Sequence, residues 1–301
     1  MNLQELYIPD TVEEIGDEAF WGAQIKELEL PVNVKRAGAM CFACCNYLTS
    51  VRILSRDLVA GNKMFYRCIN LKNVMFPNGF GILYDGMFRG CTELEDIELP
   101  DGLKAIRSGA VSYIMCLERV TIPRTVEVIE SEAFSCSFGL SEILVDERNE
   151  VYYDMNGVLY KKANNCIEHY PADRKAEEYV VDDTVTEIAD YAFMDAEHLE
   201  RIIIGSGVSA IGTGAFERCP NLKEVIIQGE LDYIKRDAFK DCIHLERVVL
   251  NSKVVPEIQT GLFDNVSASI KIYVPKKYIK NYMRIIEWQE YCHLLTEYNP
   301  E

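Results

Sequence analysis

No run of about 18 apolar residues occurs anywhere in the 301 residues, which excludes a membrane-spanning helix. Positive charge is scarce. Lys and Arg number 31 against 48 Asp and Glu, a net charge of −17. That balance argues against nucleic acid and anionic lipid as partners, because both are bound by clustered cations that displace counterions. The first residues, Met1-Asn2-Leu3-Gln4-Glu5-Leu6, show neither a basic stretch nor an apolar one, so no secretory signal is expected there. Gly-x-Ser-x-Gly, a phosphate-binding glycine loop and His-Glu-x-x-His are all missing, so nothing points to nucleophilic or metal-assisted catalysis. There are four histidines; His198 and His244 hold equivalent places before an inward Leu and are expected to share a structural setting.

What is present is a repeat. Phe20, Phe42, Phe65, Phe88, Val111, Phe134, Phe193, Phe216, Phe239 and Phe263 occupy one slot at steps of 22, 23, 23, 23, 23, 59, 23, 23 and 24. The long step is one period plus 36 extra residues. A representative unit reads Val208-x-x-Ile211-Gly212-x-x-Ala215-Phe216-x-x-Cys219-x-x-Leu222-x-x-Val225-x-Ile227. Its last part alternates with period two and predicts a short strand, with copies such as Ile25–Leu30, Leu48–Ile53, Leu199–Ile204 and Leu245–Leu250. Pro9, Pro31, Pro77, Pro100 and Pro123 close several of these strands, since proline has no N–H to donate. Gly16, Gly38 and Gly212 follow the second extended piece, where a backbone corner calls for a permissive residue.

A unit this short cannot bury its own apolar face, whereas a stack of them can. The fold class expected is therefore a repeat solenoid of about ten 23-residue coils with short β-strands. Cys45, Cys68, Cys91, Cys219 and Cys242 fall three residues after the aromatic slot. Repetition at one slot predicts a buried ladder of reduced thiols rather than a disulfide framework. Cys41-Phe42-Ala43-Cys44 contains a Cys-x-x-Cys, but Cys41 and Cys45 lie in inward slots and no second ligand pair accompanies them, so neither metal nor redox cofactor is expected.

These units resemble the BspA-like leucine-rich repeat, whose pattern is Leu-x-x-Ile-x-Ile-Pro-x-x-Val-x-x-Ile-Gly-x-x-Ala-Phe-x-x-Cys. Asn156-Gly157-Val158-Leu159-Tyr160, followed by His169-Tyr170-Pro171, is similar to a hairpin interruption common in that family. Val111 in place of Phe, Ala23 and Ala196 in place of Cys, and an irregular corner over 54–63 are local departures. The resemblance implies a leucine-rich repeat solenoid used for protein binding, often by secreted or surface proteins that adhere to host proteins. Localisation at the surface is thus an implication of the resemblance, beside a start that shows no signal.

The domain reading is a solenoid over 1–275, interrupted by a β-meander at 146–183, and a C-terminal helical cap over 276–301. The meander rests on three strand-like runs and on Asn156-Gly157, a strong hairpin turn. The N-terminus shows no matching cap. On the strands, the outward slot runs through mixed residues and then Leu144, Ile203, Ile226, Val249 and Tyr273. This apolar row is the candidate partner-binding site. Beside it, Glu118/Arg119, Glu200/Arg201 and Glu246/Arg247 predict charge ladders between coils. The leading function is a non-catalytic protein-binding or adhesion module. The alternative is a structural surface element stacking through its N-terminal coil. A glycan-acting enzyme using Glu29, Glu98 or Glu142 ranks below both, since a glycosidase needs two carboxylates at a set separation.

Overall fold

The computed structural model describes residues 5–299. Its chain forms two units, dividing between Val158 and Leu159. Both are parallel β-solenoids in which each coil contributes a longer strand to one sheet and a two-residue strand to another.

In the first unit Glu27–Leu30, Ser50–Ile53, Asn73–Met75 and Asp96–Ile97 form one parallel sheet in chain order, and Arg119–Ile122 pairs with Glu142–Val145. The strand Glu27–Leu30 shows the cause. Leu28 and Leu30 are buried and Glu27 and Glu29 exposed, as period-two alternation over a one-sided core requires. The prolines after the strands start tight turns, with the Val34 N–H donating to Pro31 O and the Val126 N–H to Pro123 O. Over 54–63, where the pattern is weakest, the corner persists. Val59–Ala60 pairs with Arg36–Ala37, and Leu58 is buried.

The aromatic slot forms stacked ladders. Phe20, Phe42, Phe65 and Phe88 succeed one another at centroid distances of 5.2, 5.8 and 5.5 Å. In the second unit Phe193, Phe216, Phe239 and Phe263 stack at 4.9, 5.3 and 5.5 Å. Each slot residue is flanked, two positions before and two after, by left-handed backbone, for example Met40 (φ 54°) and Cys44 (φ 57°) about Phe42. Most of these flanking residues are not glycine. Their conformational cost, roughly 1 kcal/mol each, is offset by hydrogen bonds to the next coil. Glu18, Phe20 and Gly22 N–H donate to Ala39, Cys41 and Ala43 carbonyls.

Gly16, Gly38 and Gly212 serve otherwise than expected, for none of them has a positive φ. A Cβ on Gly38 would stand 2.4 Å from Asp17 N, and one on Gly212 would stand 2.4 Å from Asp190 N. Close approach of successive coils, not backbone permissiveness, excludes a side chain at these two positions.

The cysteine ladder is present and has a polar function too. Sγ of Cys45, Cys68 and Cys91 donates to the carbonyls of Phe20, Phe42 and Phe65 at 3.2, 3.1 and 3.2 Å. Cys219 and Cys242 do the same to Phe193 and Phe216 at 3.0 and 2.9 Å. Where the slot holds Ser137, its hydroxyl donates to Val111 O at 2.9 Å. None of the 11 cysteines is joined in a disulfide. Burial pushes the Cys41 and Cys91 thiols up to about 12, so they stay protonated.

Tyr152–Met155 and Val158–Lys161 flank the Asn156-Gly157 turn, both of whose residues are left-handed, as that hairpin turn demands. The third run of the expected meander, Cys166–His169, has already rejoined the stack. It lies antiparallel to Val158–Lys161 on one side and parallel to Glu187–Ile188 on the other. Tyr170 then fills the aromatic slot, stacked 4.7 Å from Phe193, with its N–H on Ala192 O.

The C-terminal segment is less helical than expected. A four-residue α-helix, Ile279–Tyr282, precedes a 3-10 helix, Ile286–Leu294, and then a strand, Leu295–Tyr298, which pairs with Lys271–Pro275. Ile285 is extended (ψ 128°) and interrupts the helix. Rings, rather than a long apolar stripe, dock this segment. Trp288 donates its Nε1–H to Pro256 O at 2.9 Å, and Tyr291 meets Phe263 edge-on at 5.3 Å, closing that end of the ladder.

Candidate functional site

The second unit carries a six-stranded parallel sheet of Glu178–Val181, Arg201–Ile204, Glu224–Ile227, Arg247–Leu250, Lys271–Pro275 and Leu295–Tyr298. Its register places Val180, Ile203, Ile226, Val249, Tyr273 and Thr296 side by side. Their strand neighbours Ile202, Ile204, Val225 and Ile227 fill the core. The alternation therefore sets this row on the outer face.

Ile203, Ile226, Val249 and Tyr273 are thus brought together. Leu144 belongs to the first unit, where it pairs in register with Thr121. The edge of its strand is taken up by the hairpin. Ile143 N–H donates to Gly157 O at 2.9 Å and Val145 N–H to the Asp154 carboxylate at 2.9 Å. Exposure along the row is uneven. Val180 is 58 % exposed, Ile203, Ile226 and Tyr273 are half-buried, and Val249 is 4 % exposed between Ile226 and the Tyr273 ring. Sequence reading missed Val180, which stands at the end of the interruption, and Thr296, which lies in the segment expected to be helical. The two-residue period of Glu178–Val181 was the available signal for the first.

A second row on the same face is charged. Glu178, Arg201, Glu224 and Arg247 follow one another in register. Arg201 bonds Glu178 and, at 2.6 Å through Nε, Glu224; Arg247 Nε reaches Glu224 at 2.8 Å. Arg247 also lies over the Tyr273 ring at 4.4 Å. The ladder forms as the repeated arginines suggested, although these arginines pair with strand carboxylates, while Glu200 pairs with Lys223 at 2.7 Å. Lys271 continues this row beside Arg247, while the four side chains before it are paired among themselves.

The carboxylates considered for glycan chemistry are engaged elsewhere or isolated. Glu29 pairs with Arg52 and Glu142 with Arg119. Glu98 lies in a shallow depression with Asn73, Met75 and Asp96. His198 and His244 do not share a setting. His198 Nε2 lies 3.0 Å from Asp173, while His244 is exposed, its coil having Cys219 where Asp173 stands two coils earlier. Among the described residues no three His, Cys, Asp or Glu side chains converge on a metal position, and no helix is long and apolar enough to cross a membrane.

Solved structures with the same coil geometry exist. A leucine rich cell surface protein from Faecalibacterium prausnitzii A2-165 shares 25 % identity at a TM-score of 0.68, covering 96 % of this chain and 83 % of that one. A leucine-rich repeat protein from Eubacterium ventriosum shares 25 % identity at 0.66, covering 84 % and 66 %. The pneumococcal vaccine antigen PcpA, at 19 % identity and 0.65, covers 97 % and 77 % and shows the fold alone. No curated protein matches the sequence. The profile of the BspA type leucine-rich repeat region matches residues 1–85, 59–155 and 170–284, nearly the whole array of Phe slots, Cys hydrogen bonds and paired strands described above. The chain belongs to the BspA-type leucine-rich repeat family.

Proposed function

We propose that this chain is a non-catalytic binding module that presents the outer sheet face of its second unit to another protein at or outside the cell surface. The observation that carries this reading is the in-register row Val180, Ile203, Ile226, Val249 and Tyr273, which runs beside the paired charges of Glu178, Arg201, Glu224 and Arg247. Val180, Ile203 and Ile226 are the contiguous part of this row open to solvent, and apolar surface of this kind marks interaction sites. An apolar row with a charged row beside it provides anchors within a polar rim. The surface location draws on the likeness to the F. prausnitzii cell surface protein.

The test compares outward and inward substitutions. Ile203→Asp and Ile226→Asp should preserve the circular dichroism spectrum and unfolding midpoint while abolishing capture of surface proteins from cells the organism contacts. Ile204→Asp should unfold its coils, since that side chain is fully buried. Folded Ile203→Asp protein that captures the same proteins as wild type would reject this face.

A further inference from the structure

The turn rows beside the aromatic ladder differ between the two units. In the second unit, Arg218 occupies the left-handed position two residues after Phe216. One coil earlier the same position is Asp195, which receives a forked pair from Arg218 at 2.8 and 2.8 Å, and one coil later it is Asp241. In the first unit Arg67 holds that position, but its neighbours there are Cys44 and Gly90. Lys63, two residues before Phe65, is likewise followed one coil on by Gly86.

The missing side chains leave cations lying over bare backbone. Where Gly86 would carry a Cβ, Lys63 Cγ is 3.0 Å away and Arg89 Cβ 3.7 Å. At Gly90 the corresponding neighbour is Arg67 Cγ at 3.2 Å, and at Gly109 it is Arg89 Nη1 at 3.3 Å. Positive φ at all three glycines (58°, 78° and 62°) disfavours any side chain that would cover the patch. Tyr66 and Tyr113 stand beneath two of the cations, Lys63 Nζ at 5.7 Å and Arg89 Cζ at 4.5 Å from the ring centroids. Among the described residues none of Lys63, Arg67 and Arg89 makes an ion pair, while the adjacent Arg107 is taken up by Glu130. Burial raises the Cys44 thiol, and the nearby Arg67 charge works against that rise. Two acidic residues adjoin the patch through their backbones, the Lys63 N–H donating to Asp85 O and the Gly109 N–H to Glu132 O.

We propose that Lys63, Arg67 and Arg89 form a receptor for one compact tetrahedral oxyanion, a sulfate or phosphate ester borne by a partner molecule. Guanidinium forks match such groups in charge and geometry. The overall charge of −17 opposes an extended polyanion. At physiological salt that field is screened beyond about 8 Å, so a single anionic ester group experiences mainly the local cations.

The test is titration of the whole chain with inorganic sulfate and inorganic phosphate, following arginine Nε–Hε signals by NMR. Glucose 6-sulfate and a phosphoserine peptide form parallel arms, and the tighter one identifies the source. Saturable shifts at Arg67 and Arg89 are expected, weakening as sodium chloride rises. Arg67→Gln and Arg89→Gln should each bind about tenfold more weakly. Cys44→Asp recreates in the first unit the carboxylate that Asp195 supplies in the second; it should occupy Arg67 and weaken binding similarly without removing a cation. Arg218→Gln should bind like wild type. Circular dichroism establishes that each variant is folded, and Arg67→Gln decides the matter if Cys44→Asp does not fold. Absence of saturable shifts in the wild type, or unchanged binding in Arg67→Gln, overturns the proposal.

Discussion

Replacing Phe216 with alanine removes the middle rung of the second unit's ring ladder. The side chain is fully buried and stacked on both faces, 4.9 Å from Phe193 and 5.3 Å from Phe239. Truncating a buried phenylalanine costs about 3–5 kcal/mol, and each ring pair adds roughly 0.5–1.5 kcal/mol beyond its area. Neighbouring coils are held in register by backbone hydrogen bonds on both sides, Phe216 N–H to Ala238 O and Phe193 N–H to Ala215 O. They cannot close over the void, so the cost belongs at the upper end, about 5 kcal/mol. Phe20 provides the internal comparison. It is half-buried and has one ring partner, Phe42. Phe20→Ala should therefore cost about 2 kcal/mol. Urea denaturation followed by far-ultraviolet circular dichroism measures both, with a second probe to detect coils that unfold separately. A loss below about 1 kcal/mol in Phe216→Ala, or equal losses at both positions, would refute the claim that stacking between coils sets the stability of this slot.

Alkylation of the native protein should label Cys44, Cys116 and Cys292, the half-exposed thiols, and reach the other eight only after denaturation, as mass spectrometry of the labelled peptides would record. Cys219→Ser should be nearly neutral, because Ser137 already makes the same bond in its own coil, while Cys219→Ala leaves the Phe193 carbonyl without that donor and should cost about 1–3 kcal/mol in denaturant midpoint. Burial lowers the His169 imidazole to about 4, below its ordinary 6.5. The unfolded chain therefore binds this proton first, and stability should fall as pH drops from 6.5 towards 4, by up to about 3 kcal/mol. Glu168, raised by burial, acts in the opposite sense, so the comparison is made on a Glu168→Gln background. There, His169→Gln should flatten the urea-midpoint profile across that window, and an unchanged slope would refute the assignment.

The repeat needed no structure to be recognised. Stepwise recurrence of Phe20 through Phe263, the cysteines three residues later and the period-two strand runs specify a unit that is stable only when stacked. Inward and outward sides of each strand follow from the same alternation, which is why Ile203, Ile226, Val249 and Tyr273 could be named as one row. What the chain pattern could not express are properties of neighbouring coils. Tyr170 occupies an aromatic slot although its surroundings lack the Ala-Phe signature, because stacking on Phe193 needs only a ring at the right height. Val249 is covered while Val180 is bare, because burial on that face depends on what stands one coil away, 23 or 24 residues distant. Gly38 and Gly212 are required by the closeness of adjacent backbone, a distance no single repeat contains. The C-terminal segment turns from helix to strand because the last sheet edge offers hydrogen bonds to Leu295–Tyr298, and a free edge exists only once every preceding coil is stacked.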